Sequence, residues 1–144
     1  MVQTKLILSV DAGSPSITLS LYSASFGSTP VSLAGSSVSG LTSPPSELSY
    51  SNDANKAHSV EDRESGFVTD QSSALGLFLR HLGRDESLKE HGRGEIELVV
   101  HRFVHGGLFG EAVVLSEEAI QEIGHLTDFT TPYGARSCEL CEEG

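Results

Sequence analysis

Basic residues are scarce. In 144 residues, 9 Lys and Arg stand against 20 Asp and Glu, a formal net charge of -11. A surface so short of positive charge disfavours nucleic acid and anionic membranes, which need a basic patch, and the chain shows none. It also repels nucleotides and carboxylates at long range, so an anionic ligand must depend on local groups such as Arg102 or on a metal ion. Cysteine is nearly absent: Cys138 and Cys141 form a single Cys-x-x-Cys near the end of the chain. A structural zinc site would need two more ligands, and a redox motif is expected at a helix start in a βαβ context. Neither is visible, so two free thiols in a reducing compartment are expected. No apolar run approaches the length that spans a bilayer. The opening Met-Val-Gln-Thr-Lys lacks the basic flank and small-residue cleavage site of a secretory signal, which makes the cytoplasm the expected location. Apolar residues at 38% and aromatics at 6% are modest, and serine is abundant in the first half. The length allows one domain with a core, carrying at least one loose segment.

The first strong pattern runs from Lys5 to Tyr22. Leu6, Ile7, Leu8 and Val10 form a short, nearly unbroken apolar run, which predicts a strand covered on both faces. Ile17, Leu19 and Leu21 then alternate with Thr18, Ser20 and Tyr22, which predicts a half-buried strand. The turn between them holds Asp11, Gly13, Ser14 and Ser16. A carboxylate, a residue that lets the backbone come close to a ligand, and two hydroxyls therefore project from the end of a buried strand. Backbone N–H groups and hydroxyls in such a turn can cradle phosphate oxygens. Asp11 would repel a bare phosphate, so its presence points to a bridging Mg²⁺ with its waters. A plain hairpin turn is the alternative.

Farther on, Tyr22 to Pro30 reads as a second turn and Val31 to Val38 as a third, weaker strand, completing a meander. Gly40 through Gly66 has Pro44-Pro45, repeated serines and neither helical nor strand periodicity. It is expected to be a surface excursion with a short strand near Leu48 to Ser51. A helix starts from Thr69 or Asp70, with Leu75, Phe78, Leu79 and Leu82 as its apolar stripe and Gly83 as its stop. Arg84 to Gly94 is a polar connection. Glu95 to His101 is an apolar strand that runs into Arg102 and the Gly106-Gly107 pair. A strand reached through a helix predicts a parallel crossover, which places its C-terminal end on the same sheet edge as that of the first strand. Ligands of open α/β sheets collect at that edge. Ser116, Glu117 and Glu118 start a last helix with Ala119, Ile120 and Ile123 inside and Gly124 as its stop.

Arg102 is the leading candidate for chemistry. Its guanidinium is permanently charged and offers a planar fork that matches a carboxylate or a phosphate. A structural ion pair with one of the 20 acids is the competing reading. His101 and His105 are four apart, but their flanks Val99, Val100, Phe103 and Val104 read as core rather than as a metal-ligand shell.

The turn at Asp11 to Ser16 resembles the first phosphate-binding hairpin of the superfamily that joins acetate and sugar kinases, actin and the heat-shock chaperones. Val99-Val-His-Arg-Phe-Val-His-Gly-Gly107 resembles the His-Arg-Val-Val-His-Gly-Gly block of acetate kinases. The resemblance implies a ribonuclease H-like mixed α/β sheet: a three-strand meander, then a helix and a parallel strand. It implies an acetate kinase-like N-terminal lobe over residues 1–126, with a loop insertion at 40–66, and a divergent, loosely ordered tail at 127–144. It further implies that Asp11 organises Mg²⁺, that Gly13, Ser14 and Ser16 contact the phosphoryl group of ATP, and that Arg102 holds acetate and transition-state charge. Val104 matches a residue of the apolar pocket for the acetate methyl. The chain departs from the family pattern at four places. Asp11 stands where acetate kinases have asparagine, Pro15 removes a backbone donor, and Thr18 stands where lysine is frequent. Thr130, Thr131, Pro132, Tyr133 and Gly134 stand where the family has Ala-Pro-Leu-His-Asn, whose histidine stabilises the transition state.

Two functions follow. One is an acetate kinase-like phosphotransferase, ATP and acetate to acetyl phosphate and ADP, with this chain as the N-terminal portion of a longer enzyme. Its partners would be small molecules, namely ATP and acetate or another short carboxylate, and a homodimer is expected only of a longer chain. The other is a non-catalytic relative that keeps the folded lobe as a binding or interaction module. In-line phosphoryl transfer needs the moving group clamped from both sides, and the family's second domain supplies half of that clamp, so the isolated chain is expected to be inactive. A ribonuclease H-like nuclease would need several carboxylates around two metals, and only Asp11 falls on a strand edge.

Overall fold

The computed structural model describes residues 3–13, 15–53, 60–62, 68–91, 96–102 and 109–125. Five strands come first: β1 (Thr4–Ala12), β2 (Ile17–Ser25), β3 (Val31–Ser39), β4 (Glu47–Asn52) and β5 (Val60–Asp62). Helix α1 (Gln71–Arg84), a 3-10 helix (Glu86–His91), strand β6 (Ile96–Arg102) and helix α2 (Glu117–His125) follow. The strands form one six-stranded sheet in the order β5-β4-β3-β2-β1-β6. Neighbours from β1 to β5 pair antiparallel, and β6 joins β1 in parallel. The meander, helix and parallel strand expected from the sequence are therefore present. A right-handed crossover through α1 is the usual route between such parallel strands.

Strict alternation sets the core. Leu8, Val10 and Ala12 of β1 lie opposite Leu21, Leu19 and Ile17 of β2, and the same row continues through Ala34, Ser36 and Val38 into Asn52, Tyr50 and Leu48. All of these are buried. Because side chains alternate across a strand, they share one sheet face, and Ala74 and Phe78 of α1 are buried with them in the same cluster. Each fully buried Ile17, Leu19 or Phe78 contributes roughly 1.5–3 kcal/mol over an exposed position. The intervening positions put Ser20, Thr18, Ser37, Ser49 and Ser51 on the opposite face, which accounts for much of the serine in the first half.

Helix α1 begins at a capping box. Asp70 accepts a hydrogen bond from the Ser73 N–H at 2.7 Å, and the Ser73 hydroxyl receives one from the Asp70 N–H at 3.3 Å. Such a cap satisfies donors that would otherwise lack partners in the first turn. The buried stripe is Gln71, Ala74 and Phe78. Leu75 and Leu82 are partly buried at its margin, whereas Leu79 is 42% exposed. The expected stripe is thus rotated, because a polar Gln71 occupies a core position at the helix start. Gly83 lies inside the helix, which stops at a C-cap on Asp85 whose N–H reaches the His81 and Leu82 carbonyls. Gly124 likewise falls inside α2 rather than ending it.

One further expectation holds and two change. The stretch 40–66 carries the short strand expected near Leu48 to Ser51: it is β4, part of the sheet, with Leu48, Tyr50 and Asn52 facing the core. The polar connection after α1 contains the 3-10 helix, with Asp85 and Leu88 buried. Tyr50 Oη donates to Asp85 Oδ2 at 3.1 Å, and Asn52 Nδ2 donates to the same oxygen at 2.6 Å. Ser87 Oγ donates to Asp85 Oδ1 at 2.7 Å, so one buried carboxylate ties the end of α1 to β4. Finally, β1 buries Leu8, Val10 and Ala12 on one face, whereas Ile7, Ser9 and Asp11 on the other are only partly buried. The edge strand β6 leaves Leu98, Val99 and Val100 half exposed, at 50%, 56% and 50%. The tail at 127–144, with Cys138 and Cys141, lies outside the described residues.

Candidate active site

Asp11 and Arg102 occupy matching positions at the C-terminal ends of parallel strands β1 and β6. Arg102 Nε donates to Asp11 Oδ1 at 3.0 Å. The side chains are 69% exposed for Arg102 and 45% for Asp11, so the pair sits in solvent at the sheet edge rather than in the core. An ion pair so exposed contributes only about 0–1 kcal/mol, which leaves both charges available to a ligand. Asp11 also lies opposite Thr18 of β2, and Thr18 opposite Ser37 of β3, so a polar row crosses the open sheet face beside the pair. Both readings of Arg102 meet here: it has an acidic partner, and that partner is the other residue expected at the site.

The turn that follows β1 is fixed from three directions. Gly13 N–H donates to the Ser16 carbonyl at 2.8 Å, closing the hairpin. Leu41 N–H donates to the Pro15 carbonyl at 3.0 Å. The carboxamide of Gln71, the first residue of α1, donates from Nε2 to the Gly13 carbonyl at 2.9 Å. A Cβ at Gly13 would stand 3.4 Å from the Ser16 carbonyl oxygen, an ordinary van der Waals contact. The Gly13 N–H is engaged inside the turn and Pro15 has none, while the half-buried Ser16 brings a hydroxyl that could donate to an oxyanion. Leu41 is delivered by Gly40, whose φ of 75° lies in the left-handed region; a Cβ there would stand 2.9 Å from the Pro45 carbonyl oxygen.

His101 is on the other face of β6, half-buried, with Nδ1 at 3.1 Å from the Arg102 carbonyl, which makes Nδ1 the protonated nitrogen. Burial pushes its pKa below the ordinary histidine value; the Arg102 carbonyl and the Asp11 charge pull it partly back. His101 is therefore a neutral part of the strand. His105, four residues on, lies outside the described residues, as do Ser14 and Val104. Among the described residues, no cluster of three or more His, Cys, Asp and Glu could hold a metal ion. Mg²⁺ does not require one, because it is commonly bound through one or two carboxylates, substrate phosphates and waters. A half-exposed Asp11 carboxylate fits that manner of binding.

Sequence reasoning brought Asp11, Gly13, Ser16 and Arg102 to one edge, and the structure places them there. It missed Gln71. A polar residue at the first helical position looks like a solvated one, and only its spacing of three and seven from Ala74 and Phe78 marked it as inward-facing.

The chain can be compared with known proteins on this basis. Residues 6–135 match the acetokinase family. The chain is 34% identical over 134 residues to a probable acetate kinase of Neurospora crassa, covering 92% of this chain and 29% of that protein. It is 35% identical over 139 residues to a probable acetate kinase of Chaetomium globosum, covering 94% and 29%. It thus spans less than a third of the length of these relatives. Its fold is that of the crystal structure of Porphyromonas gingivalis acetate kinase, with a TM-score of 0.71 at 23% identity, over 96% of this chain and 34% of the other. A propionate kinase from Francisella tularensis superposes with a TM-score of 0.70 at 16% identity, over 96% and 33%. The match over nearly the whole chain, together with the parallel β1–β6 edge that carries Asp11 and Arg102, establishes that this chain belongs to the acetokinase family.

Proposed function

We propose that this chain forms the acceptor and phosphoryl edge of an acetate kinase-type phosphotransferase, which converts ATP and acetate, or another short carboxylate, to acetyl phosphate and ADP. The observation that carries this reading is the Arg102 guanidinium held at the sheet edge by Asp11, 3.0 Å away. With Nε engaged, the remaining N–H groups of the fork can take a carboxylate and the charge that builds on the moving phosphoryl group. One carboxylate oxygen of the acceptor attacks the γ-phosphorus, the bond from that phosphorus to the β-γ bridging oxygen breaks, and ADP leaves. Ser14 and Ser16 donate to phosphoryl oxygens, Gly13 lets the backbone come close to them, and Val104 lines the pocket for the short alkyl group. Mg²⁺ would supply charge neutralisation at the ATP phosphates, with Asp11 as its protein ligand. The reaction is proposed to take place in the cytoplasm, with no nucleic acid or membrane partner, and a homodimer belongs to the proposal only for a longer polypeptide.

A second reading is a non-catalytic binding or interaction module. The observation favouring it is Thr130-Thr-Pro-Tyr-Gly134, which stands in place of the family's Ala-Pro-Leu-His-Asn segment. Acetyl phosphate formation tests the first reading. The purified chain is supplied with MgATP and acetate, the product is trapped as the hydroxamate, and Arg102→Ala serves as the control. Product that disappears with Arg102→Ala supports the phosphotransferase. Absence of product from folded chain leaves it either a portion of a longer enzyme or the non-catalytic module. Product that survives Arg102→Ala contradicts the role given to Arg102.

A further inference from the structure

We propose that Gln71 is a positioning residue that holds the β1–β2 turn in its ligand-facing shape, an inference that rests on reading this turn as a phosphoryl site. Gln71 is 4% exposed, although glutamine is ordinarily a surface residue. A buried carboxamide is costly unless it is hydrogen-bonded, and this one uses Nε2 on the Gly13 carbonyl, 58 positions away in sequence. The helix that carries it is rigid at that end. Asp70 caps it, and Ala74 and Phe78, on the same stripe, are fully buried.

The chemistry of the contact suits an anion site. Carbonyl oxygens carry partial negative charge and oppose an approaching phosphate. Two carbonyls of this turn are captured by donors from outside it, Gly13 O by Gln71 and Pro15 O by the Leu41 N–H. Leu41 acts through the backbone and can be supplied by any residue except proline. Gln71 acts through a side chain, so it is the genetically addressable half of the clamp. Without it the Gly13 peptide is free to turn, and the Gly13 N–H bond to Ser16 O at 2.8 Å, which shapes the hairpin beside the Ser16 hydroxyl, loosens.

Two variants test this. Gln71→Glu keeps the shape but aims a carboxylate at a carbonyl oxygen; Gln71→Met keeps the bulk and removes the donor. Hydrogen exchange reads the turn directly, without any ligand. In both variants the Gly13 amide is expected to exchange about fivefold to tenfold faster, the effect of one lost hydrogen bond, and faster in Gln71→Glu than in Gln71→Met. The Asp53 amide, which donates to the Leu33 carbonyl at 2.9 Å at the other side of the sheet, serves as the control and stays unchanged. Titration with MgATP forms the second arm, in which the variants bind more weakly than the original chain in the same order. Gly13 exchange unchanged in both variants overturns the positioning role, whatever the chain binds. Faster Gly13 exchange in a chain that binds no MgATP leaves the positioning role standing and counts against this turn as a phosphoryl site in the isolated chain.

Discussion

Replacing Asp85 with alanine tests the packing argument most severely. The Asp85 carboxylate is 5% exposed and accepts hydrogen bonds from Tyr50, Asn52 and Ser87. Hydrogen bonds to a charged group contribute about 1.5–3 kcal/mol each, but they are not additive, and burying the carboxylate offsets part of the gain. Asn52 keeps a second acceptor in Ser87 Oγ at 2.7 Å, whereas Tyr50 Oη loses the acceptor it has here. A loss of about 3–4 kcal/mol is therefore expected, a large fraction of the roughly 5–15 kcal/mol that holds a domain together. At roughly 2–4 °C per kcal/mol for a chain of this size, the thermal midpoint falls by about 10 °C. Asp85→Asn, which keeps an acceptor, should cost less than half as much. Urea unfolding followed by circular dichroism measures both. A cost below about 1 kcal/mol for Asp85→Ala, within the range of ordinary surface substitutions, would show that the carboxylate is not the tie between α1 and β4.

Other perturbations probe other links. Phe78→Ala removes a fully buried ring from the α1–sheet contact and should cost about 3–5 kcal/mol in the same unfolding assay. Gly40→Ala forces a side chain into the left-handed region and against Pro45, and should cost about 1–3 kcal/mol, with faster exchange of the Leu41 amide beside it. Arg102→Ala breaks only an exposed pair and should change stability by less than about 1 kcal/mol while abolishing any acetyl phosphate formation. The pH profile should show three windows. Burial depresses His81 and His101, so the stability they contribute is present above about 6.5, their unfolded value, and is lost as pH falls through their folded values. The carboxyl of Asp85 is pushed up by burial, but hydrogen bonds from Ser87, Asn52 and Tyr50 outweigh that and hold it below its usual range, so its contribution is lost below about pH 3.9. Tyr50 is raised by burial and by the neighbouring Asp85 charge, so its contribution is intact below about pH 10 and lost at higher pH. Melting curves across pH check the signs, and Asp85→Asn should remove the lowest window.

Apolar alternation made the centre of the fold legible. Ile17, Leu19 and Leu21 marked the buried face of β2, and the helix between the meander and Glu95 to His101 required the parallel pairing that puts Arg102 beside Asp11. Where the core is polar, the same reasoning failed. Tyr50, Asn52 and Asp85 are buried because they satisfy one another across more than 30 positions, a partnership that local periodicity cannot register. Gln71 escaped for the same reason, since its partner is the Gly13 carbonyl. Val99 and Val100 of the apolar run in β6 read as core, yet with Leu98 they stay half exposed at the sheet edge. For the site, residue types pointed to an anion and a cation, but only the register showed that Asp11 and Arg102 engage each other directly.

The most direct test of the account is whether an acyl phosphate binds at the Asp11–Arg102 edge. The purified chain, labelled with nitrogen-15 at arginine, is titrated with acetyl phosphate in the presence of Mg²⁺ while the Arg102 Nε–H resonance is followed. The account predicts a saturable shift of that resonance and binding weakened at least about tenfold by Arg102→Ala, the loss expected when a charge-assisted contact is removed. Acetyl phosphate that binds while the Arg102 resonance stays in place, or with equal affinity in Arg102→Ala, would contradict it.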